Sequence, residues 1–290
     1  MCCTTHVQEI PEQLQPDSGN RLQTEVQNSM ASASDPLSFS ASPTIERQGP
    51  VELACGSQWD KSLSEKLQRL GKRSHKDLVA DRYGVKITVE KLKCLLGTEW
   101  LNSEVITFWL EWWGEQIGAG SEVNMPKSSK LRCYFASTYF FTKLTEHGYC
   151  YQATKRWTKK IDIFALDKMI IPMNSGNRHW YLAVIDFRLP RIEIYDSLGS
   201  TPSAVFETLF RWLEDEHLSR KGSKMDRAAW SCLPQTRAKI PRQQNCSDCG
   251  VFMCLFAAYS SLDRPFRFSQ NQIAAVRRWM ISIIYKVGQA

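Results

Sequence analysis

KMIIPMNSGNRHWYLAVIDFRLPRIEIYD, residues 168–196, decides the fold class. Lys168–Pro172, His179–Asp186 and Arg191–Tyr195 are short apolar runs bounded by turn residues, too short for helices and rich in β-branched and aromatic side chains, so each reads as a strand. The last two are joined by the turn Phe187-Arg188-Leu189-Pro190, which makes them antiparallel neighbours.

Outward from this stretch the period changes. Upstream, Val85–Val89 reads as a strand and Glu90–Leu96 as a helix. Asn102 is placed to cap a helix over Ser103–Gln116, whose Val105, Phe108, Trp109, Trp112 and Trp113 form a core-facing stripe. A second amphipathic helix is expected from Leu131 to His147, stopping at Gly148. Downstream, helices are expected over Ser203–His217, from Cys249 onward, and over Gln270–Tyr285; Val251, Phe252, Cys254, Leu255 and Phe256 mark the Cys249 helix as buried nearly all round. Helices, a small sheet and helices again make an α+β domain, with residues 81–290 as its extent.

Residues 1–80 are rich in Ser, Gln, Pro and Thr and short of periodic apolar positions, so they read as a disordered tail suited to targeting or regulation, with one short helix around Ser62–Leu70. No run of 18 apolar residues occurs, and Met1-Cys-Cys-Thr-Thr lacks a basic and then apolar leader, so neither a membrane span nor a signal peptide is expected. The ten cysteines lack the dense spacing of a disulfide scaffold and read as reduced thiols. Residues 1–80 carry 8 Lys+Arg against 10 Asp+Glu, leaving 29 against 20 downstream. That excess suits an acidic partner; the basic residues form no long cluster, so direct nucleic-acid binding is not expected.

Three polar residues sit where elements begin or end. His179 opens a strand, Asp196 closes the next, and Cys249 starts a buried helix. The hairpin brings His179 and Asp196 side by side if its register follows its turn, and this is the contact a catalytic histidine needs from an orienting carboxylate. A cysteine at a helix N-terminus meets exposed N–H groups and the positive end of the dipole, both of which favour the nucleophilic thiolate. Gln243, on a polar loop, can donate to an oxyanion together with the Cys249 backbone N–H. Singly, each residue is ordinary: a structural histidine, a turn aspartate, a surface glutamine, an inert helix cysteine. Their conjunction is a cysteine hydrolase. No metal site or phosphate loop is spelled out, and no cofactor is required.

The same residues lie in motifs that resemble the catalytic domain of the SUMO-specific (Ulp/sentrin) protease family: Glu-Trp-Leu-Asn at 99–102, Phe-Phe-Thr-Lys-Leu at 140–144, Lys-Arg-Trp-Thr-Lys-Lys at 155–160, His-Trp-Tyr-Leu-Ala-Val-Ile-Asp at 179–186, Tyr-Asp-Ser-Leu-Gly at 195–199 and Ser-Asp-Cys-Gly-Val-Phe at 247–252. The resemblance implies a papain-like fold with a small mixed or antiparallel sheet. It makes Cys249 the nucleophile, His179 the general base and acid, Asp196 its orienter and Gln243 the oxyanion donor. Trp100, Asn102 and Trp180 become substrate-binding, the two indoles closing a tunnel over the modifier's Gly-Gly tail, where only glycine backbone fits. It further implies SUMO or SUMO-conjugated proteins as partners, a monomer, and a nuclear location, at the envelope or with a cytoplasmic fraction.

Three positions depart from the family pattern. Ser103 stands where an aspartate is usual, Arg242 where glutamine is frequent, and Cys246 where glycine is usual, which would strain the loop if φ is positive there. Cys246 also creates Cys246-Ser-Asp-Cys249, the spacing of a redox pair, although that reading leaves His179, Asp196 and Gln243 without a purpose. The alternatives that stay open are a NEDD8-directed protease, a catalytically weak SUMO-binding module and an acyltransferase.

Overall fold

The computed structural model describes residues 50–56, 65, 68, 72–119, 131–199, 203–234 and 240–288. Contacts divide the chain after Ser42, and all that is described lies in the unit from Pro43 to Ala290. Of the helix expected at Ser62–Leu70, Glu65 and Gln68 are helical and the rest lies outside the described residues.

The elements are α1 (Pro50–Gly56), β1 (Leu78–Arg82), β2 (Val85–Thr88), α2 (Val89–Leu92), α3 (Ser103–Ala119), β3 (Cys133–Phe135), α4 (Phe140–Thr145), β4 (Lys168–Ser175), β5 (His179–Asp186), β6 (Arg191–Tyr195), α5 (Ser203–Lys221), β7 (Ser231–Pro234), α6 (Cys249–Ser261) and α7 (Ile273–Val287). Of these, α1 falls inside the stretch read as a tail and β1 begins in it. Both belong to the folded body: Val51 and Ala54 of α1 and Val79 and Ala80 of β1 are buried in the same core as α6 and α7.

The main sheet runs β3-β4-β5-β6-β7, with antiparallel β4–β5 and β5–β6 pairs flanked by parallel β3–β4 and β6–β7 pairs. It is therefore a mixed sheet flanked by helices, as the family resemblance implies. Both faces are covered. Trp180, Leu182 and Val184 of β5 pack into the core formed with α3, α6 and α7, whereas Tyr181, Ala183 and Ile185 pack into the core formed with α4 and α5. This explains why β5 reads as a continuous apolar run and not as an alternation. Pro172 is tolerated within β4 because β3 pairs only as far as Ile170, leaving the proline without a neighbour on that side.

The long helix expected over Leu131–His147 is not formed. Cys133–Phe135 instead pairs in parallel with Lys168–Ile170, and the Ala136 N–H donates to the Ile170 carbonyl (2.8 Å). The Ser137 carbonyl and hydroxyl then take the Phe140 and Tyr139 N–H groups (2.9 and 3.2 Å), a local turn that ends the strand before α4. Serine competing for nearby N–H groups is what interrupts an apparently helical run.

Candidate active site

The β5–β6 register places Leu182 opposite Tyr195, so Asp196, the residue after β6, comes beside the start of β5. His179 Nε2 and Asp196 Oδ1 lie 2.7 Å apart. The Leu198 N–H donates to the same oxygen (2.7 Å), and the Gly199 N–H and Arg242 Nη1 donate to the Asp196 carbonyl (3.0 and 2.9 Å). Gly199 has φ +77°, and a Cβ there would stand 2.3 Å from Arg242 Nη1. Arg242, a departure in sequence, thus acts as a brace for the carboxylate loop.

With Nε2 engaged, Nδ1 is the ring nitrogen left for Cys249, whose thiol is near enough to bias His179 toward its protonated form. Burial disfavours the imidazolium, but the hydrogen bond to Asp196 and the nearby Cys249 outweigh it and push the His179 pKa up to about 9. Burial likewise opposes ionisation of Asp196, and the His179 hydrogen bond and charge hold the carboxyl below its usual range. His179 also stacks on Tyr181, with ring centroids 5.9 Å apart.

Cys249 is buried and is the first residue of α6. The turn before it is a side-chain construction. Asn245 Oδ1 accepts the Ser247 and Asp248 N–H groups (3.1 and 3.0 Å), and Asn245 Nδ2 donates to Asp248 Oδ2 (2.7 Å). Gln270 Nε2 donates to the same oxygen (2.6 Å), and Arg277 Nη2 to Asp248 Oδ1 (2.6 Å). Arg277, buried in α7, also reaches the carbonyls of Cys94, Glu99 and Ser247 (2.7, 3.0 and 3.3 Å), tying the nucleophile turn to the segment that carries Trp100. Cys246 is exposed, and it is absent from the positive-φ residues, so its Cβ enters the loop without strain. Gly250 is needed for close approach: a Cβ there would meet Leu101 Cβ at 2.9 Å.

Gln243 is buried beside this turn. Its Nε2 donates to the Asn245 carbonyl (2.5 Å), which can only accept, and its Oε1 takes the Ser197 hydroxyl (2.6 Å). The two bonds fix the amide orientation and leave one N–H on Nε2 unspent. Ser197, immediately after Asp196, is a site residue that sequence reasoning passed over as part of a turn.

Trp180 is 5% exposed and Trp100 47%. The Trp180 indole donates to the Leu101 carbonyl (3.0 Å) and the Trp100 indole to the Cys246 carbonyl (2.6 Å), so each ring is pinned. Both line a cleft of about 310 Å³ with Leu101, Asn102, Ser103 and Arg178. Asn102 caps α3 through Val105 N–H (2.9 Å), as expected, and its Nδ2 donates to the Lys91 carbonyl (2.8 Å). Its side chain is thereby spent on holding the cleft wall. Trp109 and Trp113 are core residues stacked 5.6 Å apart. Among the described residues no cluster of His, Cys, Asp and Glu could hold a metal ion.

Comparison with known proteins places this geometry. Residues 99–288 match the family described as Ulp1 protease family, C-terminal catalytic domain. A sentrin-specific protease of Caenorhabditis elegans is 37% identical over 201 residues, 69% of this chain and 27% of the relative. Human sentrin-specific protease 2 is 32% identical over 212 residues, 73% of this chain and 34% of the relative. The chain therefore spans about a third of the length of these curated relatives. An X-ray structure of the C-terminal Ulp1 protease domain, in complex with Smt3, the yeast ortholog of SUMO, superposes with a TM-score of 0.62 at 26% identity, covering 78% of this chain and 95% of that one.

Proposed function

This chain belongs to the Ulp1 protease family, and on that premise we propose that it is a cysteine peptidase that cleaves SUMO after its terminal Gly-Gly, maturing precursors or releasing conjugated proteins. The observation that carries the reading is the 2.7 Å His179–Asp196 contact, with Cys249 close enough to influence the same imidazole and placed at a helix N-terminus. The related protease domain that was solved with Smt3 favours SUMO over NEDD8 as the modifier.

In the proposed reaction the tail passes between Trp100 and Trp180 and presents its last carbonyl to the Cys249 sulfur. Sulfur attack gives a tetrahedral oxyanion that accepts from the free Gln243 N–H and the Cys249 backbone N–H. His179, held by Asp196, protonates the departing amine and leaves a thioester on Cys249. Water, deprotonated by His179, then hydrolyses the thioester and releases the modifier. The same reading places the protein in the nucleus as a monomer, which microscopy of the tagged full chain and sedimentation test.

Covalent trapping tests the assignment: wild type and Cys249→Ala, each mixed under reducing conditions with SUMO, NEDD8 and ubiquitin bearing a C-terminal electrophile. An adduct with SUMO alone, lost in the variant, is expected. An adduct that survives in Cys249→Ala removes the nucleophile, and one with NEDD8 alone removes the substrate.

A further inference from the structure

The cleft beside the two tryptophans continues past them along the β4–β5 turn, where Asn174, Asn177 and Arg178 complete its lining. Two features of that wall have no part in the chemistry above. Arg178 is exposed, immediately precedes His179, and its guanidinium has no ion-pair or hydrogen-bond partner among the described residues. The turn that presents it is fixed by positive φ at Gly176 and Asn177 and by the Arg178 N–H donating to the Ser175 carbonyl (3.0 Å).

The opposite wall supplies no free anion to meet that guanidinium. Position 103 is a serine, and Glu104 is occupied by Lys91 at 2.7 Å. The cleft thus carries one uncompensated positive charge next to the channel for the modifier's tail, in a domain whose charge is already positive. Resting on the proposed peptidase reading, we propose that Arg178 forms a specificity subsite for the residues just before Gly-Gly. Arg178 selects a tail carrying an acidic side chain there.

Fluorogenic SUMO substrates test this, with each of the three residues before Gly-Gly set in turn to Ala, Glu or Lys and kcat/KM measured at low and high salt. At one of these positions wild type should favour Glu over Ala by roughly threefold, the factor of an ion pair still open to solvent, and the preference should shrink at high salt. Arg178→Ala should erase it and Arg178→Glu invert it toward Lys, with trapping by the SUMO electrophile retained in both. A wild type indifferent to tail charge, or a Glu preference that survives in Arg178→Ala, overturns the subsite while leaving the peptidase reading intact. Failure of wild type to trap or cleave any SUMO substrate overturns the peptidase reading and the subsite with it.

Discussion

The half of the site carried by β5 and β6 and the half carried by residues 240–249 are held in different ways. His179 and Asp196 are placed by a backbone ladder: five register pairs from Leu182–Tyr195 to Asp186–Arg191 fix where the two strands end, and both faces of the sheet are buried. Cys249 and Gln243 are placed by side chains, with Asn245, Gln270 and Arg277 converging on Asp248, and Ser197 holding the Gln243 amide. A ladder spreads its hold over many equivalent bonds. A polar network concentrates it in a few, so single substitutions should damage the second half's placement more than the first's.

The largest effect expected in the ladder half is on chemistry. Asp196→Ala leaves His179 without its orienter and should lower kcat by about a hundredfold or more, the scale of a general acid–base contribution, with a loss of Tm confined to the pH range where the pair is charged. Asp196→Asn keeps an acceptor oxygen but removes the charge that helps hold His179 protonated, which separates orientation from electrostatics. Since the folded His179 pKa is about 9 against 6.5, stability from this pair is fully present below about pH 6.5 and is lost as pH rises through about 9. Asp196→Asn should flatten that slope and draw the alkaline limb of the rate profile to lower pH. An unmoved limb would mean that Asp196 orients the ring without tuning it.

In the network half the largest effect should be on stability. Arg277→Ala strands the buried Asp248 carboxylate and three carbonyls, and breaking such a pair costs about 3–5 kcal/mol, read as a lower Tm together with slower trapping of Cys249. Arg277→Lys restores the charge without the fork and should recover only part of both. Full recovery would show that charge alone holds the nucleophile turn, and the contrast between a ladder and a geometric network would lose its basis.

What the sequence disclosed follows the same division. A hairpin can be read from chain neighbours, because its turn and its apolar runs are local, and so β5, β6 and the His179–Asp196 contact were legible. Cys133–Phe135 was not, since a three-residue strand shows no period of its own and is made a strand by Lys168–Ile170 beyond it. Helix α1 was missed because a seven-residue segment offers too little pattern, and its burial depends on α6 and α7 far downstream. Arg277 looks like any charged residue of an amphipathic helix, and only its partners at Cys94, Glu99 and Asp248 reveal that it is buried. Cys246 carried a warning of strain that depended on φ, a quantity the sequence does not contain.

Ser197 joins the two halves, and the smallest of these effects should arise there. It follows Asp196 in the chain, so the ladder places it, yet its hydroxyl serves Gln243 in the network. Removing the hydroxyl leaves Gln243 Oε1 buried without that donor and frees the amide to turn, while Nε2 keeps its bond to the Asn245 carbonyl. A lost hydrogen bond of about 1 kcal/mol corresponds to roughly a fivefold change, and because the oxyanion exists only after attack, the loss in Ser197→Ala should fall on kcat and leave KM in place. The decisive comparison is the same substitution made in Gln243→Ala, which itself should lose about a hundredfold to a thousandfold. If Ser197 acts through the amide, the second substitution should then cost almost nothing further. If it costs another fivefold, Ser197 supports the Asp196 loop directly and belongs to the ladder.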